Sequence, residues 1–438
     1  MMKIAFPLMV STSTEAMLMF IDRLYLKQVN QEAMNACLSG GFTSLAFISF
    51  FIGITGYSTA LVAQYLGAGK HANCPRVLTQ SILFSCLSVP VILILIPAGR
   101  WVLATSGLSS TEAVQAQTYL TILMAGAGID LFRQSLNGYF GGLGKTGVVL
   151  LSTFVMAIAN VGANYILIFG KLGFPALGIA GAGYGTVFAW FMGVVTLSVV
   201  YFKQIRFPEY QLLQSFLLDL RILKQLIRFG FASGLRITLL IFAVDLTILT
   251  FQSYGVVVST AITIIFTWFQ TLFIPVIGLE IGTMSLVGRF VGARDTDSAS
   301  DSVLAGLLLG TSYALIISLI SLFATPALIG VFLDSNSSSA TWNLAIWGTQ
   351  LNAFMMFILA WSTILSGALR GAGDTFGTMT ISVVFWWFQY VLVVLLIHWL
   401  ELPPDEVLVI HVFSSPLIFI ALIIRFNIGD WRKFELAG

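Results

Sequence analysis

Long apolar runs, separated by short polar or glycine-rich breaks, fill this chain from end to end. A bilayer core needs about 20 apolar residues per helix. Splitting the runs at Gly, Pro and charge predicts twelve spans, at about 4–26, 38–66, 77–99, 115–140, 148–170, 178–203, 229–254, 257–287, 302–332, 342–369, 377–399 and 406–427. One polar connection is substantial, "KQIRFPEYQLLQSFLLDLRILKQLIR" over 203–228. Its charges alternate with Leu and Ile, as in a helix lying on a membrane surface. The pattern predicts an all-α polytopic membrane protein: a first six-helix lobe over 1–203, a cytoplasmic linker over 204–228 and a second six-helix lobe over 229–438.

Composition agrees. Of 438 residues, 58% are hydrophobic and 9% charged, whereas soluble domains carry about 25% charged residues. A net charge of +2 gives no reason to expect a nucleic-acid partner. Cys37, Cys74 and Cys86 lack metal or redox spacing and read as small apolar fillers. "MMKIAFPL" has a thin basic start with no small-residue cleavage site after it, so an uncleaved first span is expected rather than a signal peptide. Most basic residues, including Lys70, Arg76, Lys145, Arg289, Arg294, Arg370 and the linker cluster, fall on the N-terminal side of the membrane. Only Arg23, Lys27, Arg100 and Lys171 fall on the other side, with Arg133 and Arg236 inside spans. The positive-inside rule then places both termini and the linker in the cytoplasm, with the protein in the cytoplasmic (inner) membrane.

The halves repeat one another. "VAQYLGAGKH" starting at 62 is matched by "VGRFVGARDT" at 287, and "LNGYFGGLGKT" at 136 by "LSGALRGAGDT" at 365. Six spans per half is an even number, so the halves share one orientation and are related by an axis along the membrane normal. Secondary transporters have this architecture, with a site between the halves.

Charged residues inside spans are the candidate functional groups, because each costs about 2.5–3.5 kcal/mol to insert. Glu15 and Asp22 lie seven residues apart in span 1, near one face. Glu15 is either a cavity acid or an inter-helix hydrogen bonder. Asp130 and Arg133, at i and i+3, are spaced to pair. Arg236 and Asp245 are half a turn out of phase, so each needs a partner elsewhere or a wet cavity. Asp245 and Glu280 either line a second-lobe cavity that attracts a cation, or one of them neutralises Arg236. Acids outnumber bases on this reading: Glu15, Asp22, Asp130, Asp245 and Glu280 against Arg133 and Arg236. His71, His398 and His411 have no ligand spacing, so no transition-metal site is expected. Trp268, Phe269, Trp347, Trp361, Trp386 and Trp387 suit interfacial belts and packing, or the face of an organic cation.

Several ordered phrases resemble the multidrug and toxic compound extrusion (MATE) family. They are "VAQYLGAGKH", the 160–186 segment "NVGANYILIFGKLGFPALGIAGAGYGT", "FID" in span 1, Pro7 fifteen residues before Asp22, and "LRGAGDT" after span 10. The resemblance implies two six-helix bundles that open alternately to either side and export substrates against Na⁺ or H⁺ entry. Asp22 matches the family's span 1 aspartate, implicated in coupling, and Asn160 and Asn164 match its polar partners on span 5. Thr186 adds a hydroxyl, and Pro7 offers a bend point in span 1. A carboxylate with amide oxygens suits a hard cation, with Na⁺ at Asp22 the one metal expected, and the same carboxylate can instead take a proton.

The second half departs from the NorM-like branch, whose span 7 proline and glutamate correspond to Ala232 and Leu240. Asp374 falls at that branch's span 10 aspartate but equally suits a loop cap. Asn164 stands where archaeal DinF-like members have aspartate, so the chain sits between branches and the coupling ion stays open. The implied function is a cation-coupled antiporter exporting small, cationic organic substrates, drugs or metabolites by alternating access, as a monomer without cofactors. The alternative is a lipid-linked saccharide flippase of the same broader superfamily, commonly with fourteen spans and a strongly cationic cavity. The major-facilitator loop motif is missing after span 2. No HExxH or GxSxG motif is present and the loops are short, so an enzyme is not expected.

Overall fold

The computed structural model describes residues 2–105, 110–203, 215–252, 254, 256–333 and 338–428. Within them, some side chains, Glu15, Arg23 and Asp245 among them, lie outside the description. The described residues form α1 (Met2–Lys27), α2 (Gln31–Gly56), α3 (Ser58–Gly67), α4 (Asn73–Thr105), α5 (Ser110–Gly142), α6 (Thr146–Phe169) and α7 (Ile179–Lys203). The second half holds α8 (Leu220–Gln252), α9 (Val256–Gly292), α10 (Thr296–Phe323), α11 (Thr325–Gly330), α12 (Ser339–Ala372), α13 (Thr375–His398), α14 (Pro404–Ser414) and α15 (Pro416–Ile428). Three pairs are single rods with a local break: α2 and α3 at Tyr57, α10 and α11 at Ala324, α14 and α15 at Ser415. Pro326 and Pro416 account for the last two breaks, because a proline nitrogen cannot donate back into the preceding helix. Twelve rods result among the described residues, at the positions the apolar runs predict. Ten of them contain a described stretch long and apolar enough to cross a membrane. Helical closure of every rod satisfies the backbone polar groups that lipid cannot. α1 passes through Pro7 without interruption.

The linker differs from expectation. Residues 204–214 lie outside the described ones, but α8 starts at Leu220, so the boundary drawn at 229 falls inside a continuous helix. The amphipathic period is real: Arg221, Lys224 and Arg228 are exposed while Ile222 and Leu226 are buried. That apolar face packs with Leu61, Tyr65 and Val77 of the first lobe instead of lying in lipid. Tyr65 donates its hydroxyl hydrogen to Gln225 Oε1 (2.8 Å), and Gln80 Nε2 donates to the Leu217 carbonyl (3.0 Å).

The sequence repeat is also a packing repeat. α1 packs on α6 as α8 packs on α13, α2 on α5 as α9 on α12, and α4 on α5 as α10 on α12. Between the lobes, α1 meets α9 and α2 meets α8, which is one contact generated twice by the pseudo-two-fold axis. Near the 68–72 and 293–295 loops this contact becomes very close. A Cβ on Gly67 would meet the Arg289 carbonyl, and one on Gly292 would meet that of Gln64, the positions that match across the repeat. Gln64 Nε2 donates to the Gly371 carbonyl (2.7 Å) and Ser285 Oγ to that of Gly141 (2.6 Å), tying the lobes together at this end. Further along, Gly53 abuts Gly234, and Gly278 lies against Met9, two residues past Pro7. Here small residues let backbones approach closely, as packing in lipid requires.

Candidate functional site

In the first lobe, four side chains singled out by the sequence converge. Asp22 comes from the C-terminal part of α1 and is buried. Asn160 and Asn164, one turn apart on α6, are buried facing it, and Thr186 enters from α7. Asn164 Nδ2 donates to Asp22 Oδ1 (2.5 Å) and to Asn160 Oδ1 (3.3 Å). The Thr186 hydroxyl lies 3.3 Å from Asp22 Oδ2 and also bonds the Ala182 carbonyl. Gly185, beside Thr186, leaves the room that the Asn164 amide occupies. Asn164 Oδ1 is buried with no hydrogen-bond partner. Buried amide oxygens are normally satisfied, so this one is an acceptor held in reserve within reach of a carboxylate.

Two further residues belong to this cluster. The Tyr119 hydroxyl on α5 interacts with Cys37 of α2 and Thr186, and feels the charge of Asp22. Cys37, read from spacing as an apolar filler, therefore faces a polar centre. Neither residue carries a local signal, since "QTYLTI" and "NACLSG" read as ordinary span sequence.

The second lobe bears on two alternatives that the sequence leaves open, at Glu280 and at Asp374, and carries the end of span 10 past Arg370. Glu280 on α9 pairs with Arg236 of α8 (Oε1 to Nη2, 3.1 Å), the structural alternative to a free cavity acid. The same Oε1 also accepts from Arg370 Nη1 (2.8 Å), and Arg370 Nε donates to Ser233 Oγ (3.3 Å). Arg370, which follows the predicted span 10, is buried in the last turn of α12. Asp374 proves to be a loop cap: it accepts from the Gly377 amide at the start of α13 and pairs bidentately with Arg425 (2.7 and 3.2 Å). A side chain committed to a cap and a fork pair is positioned for structure. Asp130 and Arg133 pair on one face of α5 at 2.7 Å, as their spacing predicts. Glu15 and Asp245 lie on α1 and α8, with side chains outside the described ones.

Other groups have local roles. Trp268 and Trp361 donate their indole hydrogens to the Leu328 carbonyl and to Thr311 Oγ1. In the loops, burial lowers the Lys145 ammonium below its ordinary value. Asp295 is held below the usual carboxylate range by hydrogen bonds from Ser298.

Comparison with known proteins gives a consistent result. The profile of the MatE family matches residues 7–166 and 225–395. Multidrug resistance protein NorM of Vibrio vulnificus (strain YJ016) is 26% identical over 392 residues, covering 88% of this chain and 84% of that protein. Multidrug resistance protein MdtK of Edwardsiella ictaluri (strain 93-146) is also 26% identical, with the same coverage of both chains. Among solved structures, a MOP superfamily transporter from Pyrococcus furiosus, described as having a binding pocket of reverse polarity, superposes with a TM-score of 0.87 at 19% identity, over 99% of this chain and 96% of that one. The outward-facing conformation of a multidrug resistance MATE family transporter gives 0.84 at 19% identity, over 99% and 96% of the two chains. Two matched lobes, twelve helical rods and a profile spanning both halves establish that the chain belongs to the MatE family of multi-pass membrane transporters.

Proposed function

We propose that this transporter is a cation-coupled antiporter, driven by Na⁺ or H⁺, that exports small organic solutes with a cationic centre by alternating access. The observation that carries this reading is the unpartnered Asn164 Oδ1 buried beside Asp22. Carboxylate, amide and hydroxyl oxygens on three helices make a donor set that fits a hard cation. Asp22, Asn160, Asn164 and Thr186 would hold Na⁺, which when bound supplies the charge that neutralises the carboxylate. A proton on Asp22 would do the same.

The chain's own residues supply the coupling. Asp22 rides on α1 and its amide partner on α6, so the charge state of Asp22 sets how α1 packs against α6. Pro7 deprives α1 of one hydrogen bond close to its crossing with α9, which marks where α1 can bend. The tight glycine contacts lie at the end that basic residues mark as cytoplasmic, so we assign this conformer as sealed inward, in the cytoplasmic membrane, with both termini inside. The transporting unit in this reading is the monomer, since one chain carries both lobes.

The test is efflux of a fluorescent organic cation from proteoliposomes under separate Na⁺ and pH gradients, for wild type and Asp22→Asn. Efflux driven by one gradient and lost in the variant supports first-lobe coupling and names the ion. Efflux with undiminished gradient dependence in Asp22→Asn would sink that assignment.

A further inference from the structure

The lobes repeat with two offsets, 225 residues between the phrases at 62 and 287 and 229 between those at 136 and 365. Helix ends keep the same offsets. α1 ends at Lys27 and α8 at Gln252, α6 starts at Thr146 and α13 at Thr375, and α7 starts at Ile179 and α14 at Pro404. The first-lobe centre therefore maps onto the second lobe position by position. Asp22 falls on Thr247, Asn160 on Gln389, Asn164 on Val393 and Thr186 on His411. All four counterparts are buried. The carboxylate has no equivalent, and an imidazole stands where the first lobe has a hydroxyl.

Two of these counterparts meet. Gln389 Nε2 on α13 donates to the His411 carbonyl on α14 (3.2 Å), and Ser414 Oγ lies 2.8 Å from both Gln389 Oε1 and that carbonyl. The break between α14 and α15 makes the carbonyl available, because the Ser415 amide bonds back to Val412 rather than to His411. Broken helices with freed carbonyls mark ion sites in transporters. The imidazole stands edge-on to Phe251 of α8 (ring centroids 6.0 Å apart), and its Nδ1 is shut from solvent with no hydrogen-bond partner. Thr349 Oγ1 on α12 is buried and unpartnered as well, one residue from Gly348, where a Cβ would touch Leu408 of α14. An oxygen cluster suits Na⁺ or a proton, whereas a basic imidazole nitrogen takes a proton.

We propose that His411, with Gln389 beside it, is a proton-binding site of the second lobe, the counterpart of the Asp22 centre, and that its occupancy is a second coupling event. The site stands on its own geometry, while its part in coupling rests on the antiport reading above. The proton goes onto Nδ1. An imidazolium there needs an acceptor; Gln389 Oε1 and Thr349 Oγ1 are buried oxygens at this level, and neither bonds Nδ1 in this conformer. Proton occupancy thus biases how α14 packs on α12 and α13. Other ionisable residues on the packed elements are set apart. α9 has none from Val256 to Leu279 and α12 none from Ser339 to Leu369, while α13 has Tyr390 and its terminal His398. α14 has Asp405 and Glu406 in its first turn. α8 carries Arg236, paired with Glu280, and Asp245, whose side chain lies outside the described ones.

The experiment uses the full chain. In lipid nanodiscs, nitrogen-labelled histidine gives three imidazoles, His71, His398 and His411, and His411→Asn identifies the third by its loss. Lowering the pH from about 8 to about 5, the range over which histidine takes up charge, converts the His411 ring signals from the neutral to the imidazolium pattern. A ring that stays neutral throughout overturns the proposal. In proteoliposomes with clamped potential and matched Na⁺, tetraphenylphosphonium is the probe and a one-unit pH gradient the drive. Each proton exchanged multiplies its limiting concentration ratio about tenfold. His411→Asn and His411→Phe each lower that ratio by about tenfold, the second while keeping a ring against Phe251. A wild-type ratio in His411→Phe assigns the histidine to packing and overturns the proposal. Titration of His411 without gradient-driven movement of the probe in wild type would count against the export reading and leave the proton site standing.

Discussion

Gly67→Ala is the sharpest probe of the lobe contact. A Cβ there would sit 2.7 Å from the Arg289 carbonyl carbon and closer still to its oxygen. These are backbone atoms of α9, so no side chain can swing aside. Reaching ordinary contact near 3.5 Å requires the two helices to part by about 1 Å. Parting by that much also stretches Gln64 Nε2 to Gly371 O, now 2.7 Å, and Ser285 Oγ to Gly141 O, now 2.6 Å, out of hydrogen-bond range. Overpacking costs about 1–3 kcal/mol and each lost bond about 1 kcal/mol. The sealed conformer is then disfavoured by about 3 kcal/mol, a population shift of roughly a hundredfold. Spin labels at His71 and Asp297, in a background without other cysteines, report the gap by double electron–electron resonance. Gly67→Ala and Gly292→Ala should move the distance distribution outward. Gly147→Ala, whose Cβ meets nothing within 4 Å, should not. A wild-type distribution in Gly67→Ala, or an equal shift in Gly147→Ala, refutes the reasoning.

Three other perturbations separate coupling from structure. Gly185→Ala puts a methyl group 3.0 Å from Asn164 Cγ and against its amide oxygen, so the amide is displaced from Asp22. Gradient-driven efflux should drop by about tenfold, the worth of one charge-assisted hydrogen bond, with little change in thermal stability; unchanged efflux would detach Asn164 from coupling. Glu280→Ala strands two buried guanidiniums and should cost about 3–5 kcal/mol, seen as a large fall in melting temperature or loss of monodisperse protein on size-exclusion chromatography. Asp374→Ala removes the α13 cap and the half-exposed Arg425's partner, a loss of about 1–2 kcal/mol with gradient-driven efflux retained. Abolished coupling in that variant, with the protein still folded, would return Asp374 to the transport machinery.

Much of this protein was determined by local sequence alone. Lipid leaves no alternative to internally bonded helices, so each apolar run of sufficient length had to become a rod. The phrases at 62 and 287 announced the pseudo-two-fold, and Gly67 and Gly292 within them are the residues that meet across it. Asn160 and Asn164 were legible as a pair because i and i+4 share a helical face, and Asp130 with Arg133 for a similar reason. What tertiary structure decided was which faces meet. The start of α8 read as a surface helix, since amphipathic spacing is the same whether lipid or protein covers the apolar side; burial of Ile222 and Leu226 chose protein. Glu280 and Arg370 are 90 residues apart, and Asp22 and Asn164 are 142 apart. No sequence period links such positions; the rotation of each rod about its axis does, and packing sets that rotation. For the same reason Tyr119 and Cys37 were silent in the sequence: an apolar helix shows its polar neighbours only once the neighbouring helices are in place.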